Sequence, residues 1–281
     1  MTPGKHSHTA QGATMYRAAH QLVDVPPVFH DPLAVKIVGA DAEHELRSGR
    51  SRHSTRQAAG LRAFVAARSR FSDECFDAAF VRGVRQYVVL GAGPDTFAYR
   101  STFEELKIYE VDHASTQAWK RQRLQQVSIA IPGNVSYVAL DFSQQSLSEG
   151  LAQAQFDFSR PAFFSWLGVT PYLSVGVTMN ALNNVVRTAP SGTEIMFDFA
   201  TPATADTQLT IAGRNALAAR VDAAGEPFKK PILSRRLRTD LLSMGFCVLE
   251  LTDGVALNQL YFTGRNDGLT LRGGHIVRAR V

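Results

Sequence analysis

The stretch YVVLGAGPDT, residues 87–96, ends a run of apolar and β-branched residues on two glycines and an aspartate. An apolar run that stops at Gly-x-Gly brings backbone close to a ligand, because glycine has no Cβ to obstruct the approach. Such a turn can also offer N–H groups to an anion. Nicotinamide dinucleotides, nucleotide phosphates and S-adenosylmethionine all meet turns of this kind. A dinucleotide fingerprint asks for a third glycine five residues after the first, and that position here is Thr96. A bare Gly-x-Gly is also ordinary structural punctuation, so the surrounding pattern has to decide.

Outward from this turn, short apolar runs alternate with helical stretches. The runs are Gln86 to Leu90, Lys107 to Val111, Val135 to Leu140, Ala162 to Leu167 and Glu194 to Phe199. Between them lie segments such as Ala114 to Val127 and Val175 to Thr188, the latter with Ser174 placed as an N-cap. Runs that are apolar throughout suit strands covered on both faces, and strand–helix alternation predicts a parallel, doubly wound α/β sheet. Towards the C-terminus, GFCVLELT follows a helical Ser234 to Met244. HIVRARV alternates apolar and charged residues, as an antiparallel or edge strand would. Residues 1–80 read as helices and loops, with HDPLAVKIVG starting at Pro32 and stopping at Gly39, and RQAAGLRAFVAARSRFSDECF as one helix. Residues 81–281 form the sheet domain, one unit with the helices before it, and Thr201 to Pro231 interrupts it as a cap over the crevice.

In an open α/β sheet the ligand lies beyond the carboxyl ends of the strands. Gly91 and Gly93 end the first strand there. The second ends in Glu110 and Asp112, and Asp112 follows the glycines by the distance expected of an acid that accepts from a ribose diol. Asp112 is equally placed to cap the next helix, and Glu110 to share the diol or pair with an arginine. The third strand ends in Asp141 and Phe142, an acid and a ring that suit an adenine; the alternative is that Asp141 caps the helix after it. The fourth leads to Leu167 and Gly168, with Trp166, Thr170 and Tyr172 at the crevice mouth.

One arginine falls on an apolar stripe: Leu61, Phe64, Val65 and Arg68 share a helix face. A buried guanidinium needs an anionic partner. The amino-acid carboxylate of S-adenosylmethionine would supply one, with two-pronged geometry. Otherwise Arg68 reaches the edge of the stripe, or pairs with Asp73 or Glu74.

The chain of 281 residues is 45% hydrophobic, enough for a full core, and carries a formal charge of +5. From Arg47 to Arg85 there are nine arginines against three acids. No aromatic-interleaved RNA motif or zinc finger accompanies them, so the reading is a solvated helical face and no nucleic-acid partner. There is no apolar stretch of transmembrane length, and the polar N-terminus lacks a signal peptide's apolar core. Cys75 and Cys247 match no metal spacing, and no His/Asp/Glu set has one either. The expectation is a cytoplasmic protein without a metal or a membrane partner.

Taken together, ARSRFSDECF, RQYVVLGAGPDTFAYR, YEVDH with its lysine-bearing helix WKRQRL, VALDF, GVTPYL and the N-terminal FHDPLAVKIVG resemble the leucine carboxyl methyltransferase-like family. More narrowly they resemble its bacterial S-adenosylmethionine-dependent O-methyltransferase branch, which includes enzymes of polyketide tailoring. The resemblance implies a class I methyltransferase fold: a Rossmann-like, mostly parallel sheet of seven strands, the last antiparallel, beneath an N-terminal helical lid. It implies that Arg68 holds the methionine carboxylate, that Gly91, Ala92 and Gly93 meet the methionine backbone, that Asp112 holds the ribose, and that Asp141 with Phe142 holds the adenine. Many relatives carry glutamate just before the fourth-strand glycine. Leu167 stands there in this chain, so its contact to the cofactor falls to backbone.

The expected function is S-adenosylmethionine-dependent O-methyl transfer to a small-molecule carboxylate or hydroxyl. The alternatives are an NAD-dependent oxidoreductase and a non-catalytic S-adenosylmethionine-binding module. A carboxylate acceptor needs no base, whereas a hydroxyl needs one. The candidates near the mouth are Tyr172, Thr170 and Tyr99, with His113 on the cofactor side. The acceptor's identity and the oligomeric state are not legible at this level.

Overall fold

The apolar runs become the middle of a single seven-stranded sheet. In the computed structural model, which describes residues 8–142, 144–202 and 208–281, the strands are β1 (Gln86–Leu90), β2 (Lys107–Asp112), β3 (Val135–Ala139), β4 (Phe163–Trp166), β5 (Glu194–Phe199), β6 (Val248–Asp253) and β7 (His275–Arg280). Their order is β3-β2-β1-β4-β5-β7-β6. Strands β1 to β5 run parallel, and β7 runs antiparallel to both β5 and β6. Every residue of β1, β4 and β5 is buried. Alternation splits the side chains: Val88, Leu90, Phe164, Trp166 and Phe197 enter one core, and Tyr87, Val89, Phe163 and Met196 the other.

The alternating HIVRARV is antiparallel as expected, yet it lies inside the sheet, with β6 at the edge. Its charged residues meet one buried acid in common. Glu194 on β5 is fully buried and accepts from Arg278 and Arg280 on β7 and from Arg82. An internal ion cluster thus produces the charge pattern of a solvent-facing edge.

Eleven α-helices surround the sheet among the described residues: α1 (His8–Val23), α2 (Pro32–Val38), α3 (Ala40–Arg47), α4 (Ala59–Val81), α5 (Phe97–Arg100), α6 (Ala114–Gln126), α7 (Leu147–Gln153), α8 (Val175–Thr188), α9 (Gln208–Ala223), α10 (Ser234–Met244) and α11 (Gly254–Tyr261). Asp31 caps α2 and Gly39, at φ 93°, ends it. Ser174 caps α8 by accepting from Val177 N–H. The cap segment after β5 contains α9, and residues 203–207 lie outside the described ones. Helix α4 is buried on more than one stripe, with Ala63, Ala67, Phe71 and Phe76 packed in the core beside β1 and β4. The basic stretch around it is largely neutralised within the fold: Arg47, Arg62, Arg68, Arg70, Arg82 and Arg85 pair with Glu43, Asp24, Asp198, Glu74, Glu194 and Glu105. Among the described residues no helix is long and apolar enough to cross a membrane.

Candidate cofactor and acceptor site

The glycine turn is tightly folded on itself. Gly91 and Gly93 have φ of 64° and 41°, in the left-handed region that glycine enters without strain. A Cβ on Gly91 would come within 2.4 Å of Val169 Cγ2, so side-chain space is absent there. The N–H groups of Gly91 and Ala92 both donate to Val111 O, at 2.8 and 3.1 Å. Gly93 N–H donates to Asp112 Oδ2 at 2.6 Å. All three turn amides are therefore taken within the protein. A pyrophosphate needs such amides, and a ligand without a phosphate does not.

Asp112 is 7% exposed, and its Oδ1 accepts from His113 N–H at 2.7 Å. Burial pushes its carboxyl up, against the two backbone hydrogen bonds that favour the charged form. The expected alternative, a side-chain cap on α6, is not what Asp112 makes: the cap position is His113, which has no side-chain cap bond. Asp112 braces the glycine turn, and its remaining lone pairs stay at the carboxyl end of β2. Glu110 is corrected more sharply. It is fully buried and bonded to Lys120 Nζ at 2.7 and 2.8 Å, so it neither reaches a diol nor pairs with an arginine.

Arg68 is buried, at 7% exposure, at the head of β4. Neither Asp73 nor Glu74 is its partner, since these pair with Arg100 and Arg70. Its partner is Asp198 at the end of β5, whose Oδ2 accepts from Nη1 at 2.9 Å and whose Oδ1 accepts from Gly168 N–H at 2.5 Å. This corrects the expectation that a ligand is the guanidinium's first counter-ion. The guanidinium lies flat on Gly168, φ 71°, where a Cβ would meet Nη2, Nη1 and Cζ at 2.7, 3.0 and 3.1 Å. The buried Nε–H has no partner. Asp198 was legible only as an acid ending a strand at the same place as Asp112.

Asp141 and Phe142 stand beyond β3, and the Phe142 ring lies 5.7 Å from that of Trp166. Trp166 is fully buried rather than at the mouth, with its indole N–H unpartnered. The cap of α7 is Ser146, not Asp141. The Leu167 side chain packs into the α4-side core, which leaves its backbone for a ligand contact.

The three candidate bases are not brought together. Thr170 is buried and donates its hydroxyl proton to Asp198 O. Tyr172 packs its ring 5.1 Å from Phe228. Tyr99 lies away from both, in a network under β2 and β3: its hydroxyl contacts Glu110 Oε2 at 3.1 Å and Tyr137 Oη at 2.8 Å. Burial and the Glu110 charge push the Tyr99 phenol far above its ordinary range, so it stays protonated.

The N-terminal helices are keyed to the turn by residues that sequence reasoning missed. Ala10 of α1 approaches Gly93, where an added Cβ would be 3.2 Å from it. Arg17 donates to Pro94 O at 2.6 Å and to Asp31 Oδ2 at 2.9 Å. Thr96, at the position of the absent third glycine, donates to the same Asp31 oxygen at 2.8 Å. His20 and Asp24 resemble a catalytic dyad, with Nδ1 3.0 Å from Oδ2, but Nε2 accepts from Val28 N–H at 2.8 Å and Arg62 holds Asp24. They tie the end of α1 to the segment that follows it and to α4.

The cap segment crosses the same end of the sheet. Lys229 N–H donates to Pro171 O and Ile232 N–H to Ala200 O, at 2.8 and 2.9 Å. Lys229, Lys230, Arg235, Arg236 and Arg238 follow one another there, all exposed. Arg236 reaches Asp240 at 3.6 Å, and the other four make no ion pair among the described residues. Arg235 and Arg236 stand in the first turn of α10, where the helix dipole disfavours cations. His275 begins β7 beside Phe199, with Nδ1 3.3 Å from Thr201 Oγ1. No group of three or more metal-ligating side chains is found among the described residues.

Residues 10–186 match the family described as leucine carboxyl methyltransferase. A protein of Bacillus subtilis (strain 168) named "Putative S-adenosyl-L-methionine-dependent methyltransferase YktD" is 30% identical over 206 residues, 73% of this chain and 67% of that protein. A similarly named protein of Mycobacterium tuberculosis is 33% identical over 176 residues, covering 57% of this chain and 49% of its own length. The chain thus spans about half to two thirds of these relatives. Among solved structures, a "putative methyltransferase" from Thermobifida fusca YX is similar with TM-score 0.59 at 16% identity, covering 99% of this chain and 96% of that one. A Streptomyces avermitilis protein of the family named duf574 is similar with TM-score 0.54 at 15% identity, covering 98% and 97%. At those identities the structural likeness speaks for the fold alone.

Proposed function

The chain belongs to the leucine carboxyl methyltransferase family, and from that premise we propose that this S-adenosylmethionine-dependent methyltransferase delivers its methyl group to an oxygen of a small molecule, a carboxylate in preference to a hydroxyl. The residues present fit the cofactor. The glycine turn has no free amide for a phosphate, which speaks against the NAD-dependent alternative. The unpartnered Arg68 Nε–H suits the methionine carboxylate, and Asp112 keeps acceptor capacity for the ribose. Asp141 and Phe142 take the adenine, and the backbone of Ala92, Gly93 and Leu167 completes the cradle.

Bound there, S-adenosylmethionine supplies an already activated methyl on a sulfonium. The chain's part is alignment and exclusion of water. Arg68 orients the methionine end, Asp112 fixes the ribose, and the Arg17–Asp31–Thr96 contacts hold α1 over the turn.

The carboxylate preference is carried by one observation: two of the three candidate hydroxyls, Thr170 and Tyr99, are not set up as bases. Thr170 donates to a backbone carbonyl and Tyr99 is held protonated. A carboxylate is ionised at neutral pH and needs no base. The exposed cations of the cap segment, Lys229, Lys230, Arg235 and Arg238, which follow the Lys229 N–H bond to Pro171 O and make no ion pair among the described residues, suit an acceptor that bears negative charge. The two free cysteines suit a reducing, cytoplasmic setting.

The test is a methyl-transfer assay over a panel of small acids and phenols, with and without EDTA, followed by a pH profile. Methyl esters formed at a rate nearly flat from about pH 6 to 9, and unchanged by EDTA, are the expected result. Activity confined to phenols, or restored only by magnesium, refutes the proposal. Methyl incorporation only into protein or nucleic acid refutes the small-molecule reading.

A further inference from the structure

Arg68 has two edges that can grip a carboxylate in parallel: the end formed by Nη1 and Nη2, and the side formed by Nε and Nη2. In this structure the end is engaged. Nη1 donates to Asp198 Oδ2 at 2.9 Å, and the other Asp198 oxygen is tied to Gly168 N–H. The side is not engaged, because the buried Nε–H has no partner. Gly168 makes room for this pose, since a Cβ there would stand 2.7 Å from Nη2. Asp198 itself is 3% exposed and reaches both partners from the end of β5.

From this we infer that Asp198 is a positioning residue that fixes Arg68 by one nitrogen and so presents its Nε–Nη2 side to the methionine carboxylate of the cofactor. It approaches Gly168 from the neighbouring strand. With the guanidinium's charge already balanced, the lid can close over an empty site without leaving a buried cation unpaired. The inference rests on the reading that Arg68 meets the methionine end.

The experiment compares three ligands by calorimetric titration: S-adenosylhomocysteine, S-adenosyl-3-thiopropylamine, which lacks only the carboxylate, and 5′-methylthioadenosine, which lacks the whole amino-acid end. The unmodified protein prefers S-adenosylhomocysteine to the decarboxylated amine at least tenfold. Asp198→Asn keeps an oxygen for Gly168 N–H but turns an amide N–H₂ or a weaker acceptor towards Nη1. It lowers that preference to within about twofold, with methylthioadenosine affinity unchanged. Gly168→Ala displaces the guanidinium while keeping every charge, and serves where the Asn variant fails to fold. It has the same signature. If both ratios stay as in the unmodified protein, Asp198 positions nothing and the inference fails, while the Arg68 reading stands. If methylthioadenosine weakens as much as S-adenosylhomocysteine, the role is merely structural. If the unmodified protein shows no preference, the Arg68 reading itself is wrong.

Discussion

Replacing Lys120 by methionine separates a structural ion pair from a binding group. Lys120 and Glu110 have side chains 3% and 1% exposed, and the ammonium contacts both carboxylate oxygens. Burial pushes the Glu110 carboxyl up, and Lys120 is the main influence holding it down. Without the lysine, Glu110 must remain charged and unpaired or take up a proton. Proton uptake at pH 7.5 by a carboxyl with an unfolded value near 4.3 costs about 4 kcal/mol, from roughly 1.4 kcal/mol per pH unit. The hydroxyl of Tyr99, 3.1 Å away, remains as a partner, so the expected loss is about 3 kcal/mol, in line with breaking a buried pair. The sign follows from the raised folded-state pKa of the variant. Above about pH 4.3 the unfolded chain ionises and the folded variant does not. Its stability relative to the parent therefore falls as pH rises, by about 1.4 kcal/mol per unit. The assay is urea unfolding at pH 5.5, 6.5 and 7.5, followed by tryptophan fluorescence. The added Glu110→Gln change should restore most of the loss at pH 7.5. A loss of equal size at pH 5.5 and 7.5, or a double variant no more stable than Lys120→Met, would refute the reasoning.

Asp112→Ala should weaken S-adenosylhomocysteine binding by about 1.5–3 kcal/mol and also lower apo stability, because Gly93 and His113 lose their acceptor; intact affinity by calorimetry would remove Asp112 from the site. His53, pushed down to about 4 by burial and then by Arg52 and Arg220, is neutral when folded. The unfolded histidine takes up a proton first as pH falls through about 6.5, so this group costs stability from there down to its folded value. His53→Gln should flatten that part of the acid-unfolding profile, and an unchanged slope speaks against it. The Lys230→Glu, Arg235→Glu double change should raise KM for an acidic acceptor about tenfold, with a salt dependence weaker than the parent's and cofactor affinity unchanged; an unchanged KM would detach the rim from the acceptor.

Residues whose roles are local could be read from the chain alone. The run Glu194–Phe199 is buried at every position because a strand inside a sheet covered on both sides has two faces to bury, and its apolar residues Ile195, Met196, Phe197 and Phe199 make that legible. Helix α8 begins after the serine that caps it, because a side chain one turn away from the amide it satisfies is visible in sequence. The glycines after β1 and the acid that ends β2 were legible for a related reason: strand ends share one edge of a parallel sheet. The partners of buried charge were not. Arg68 meets Asp198 across 130 residues, and Arg17 meets Pro94 across 77. β7 lies inside the sheet although its arginines suggest an edge, because Glu194 sits on the strand that becomes its neighbour. Strand order and the packing of α1 and α4 against the sheet decide these encounters. A charged group's pattern along the chain is the same whether water or a distant carboxylate satisfies it, and only the packed structure distinguishes the two.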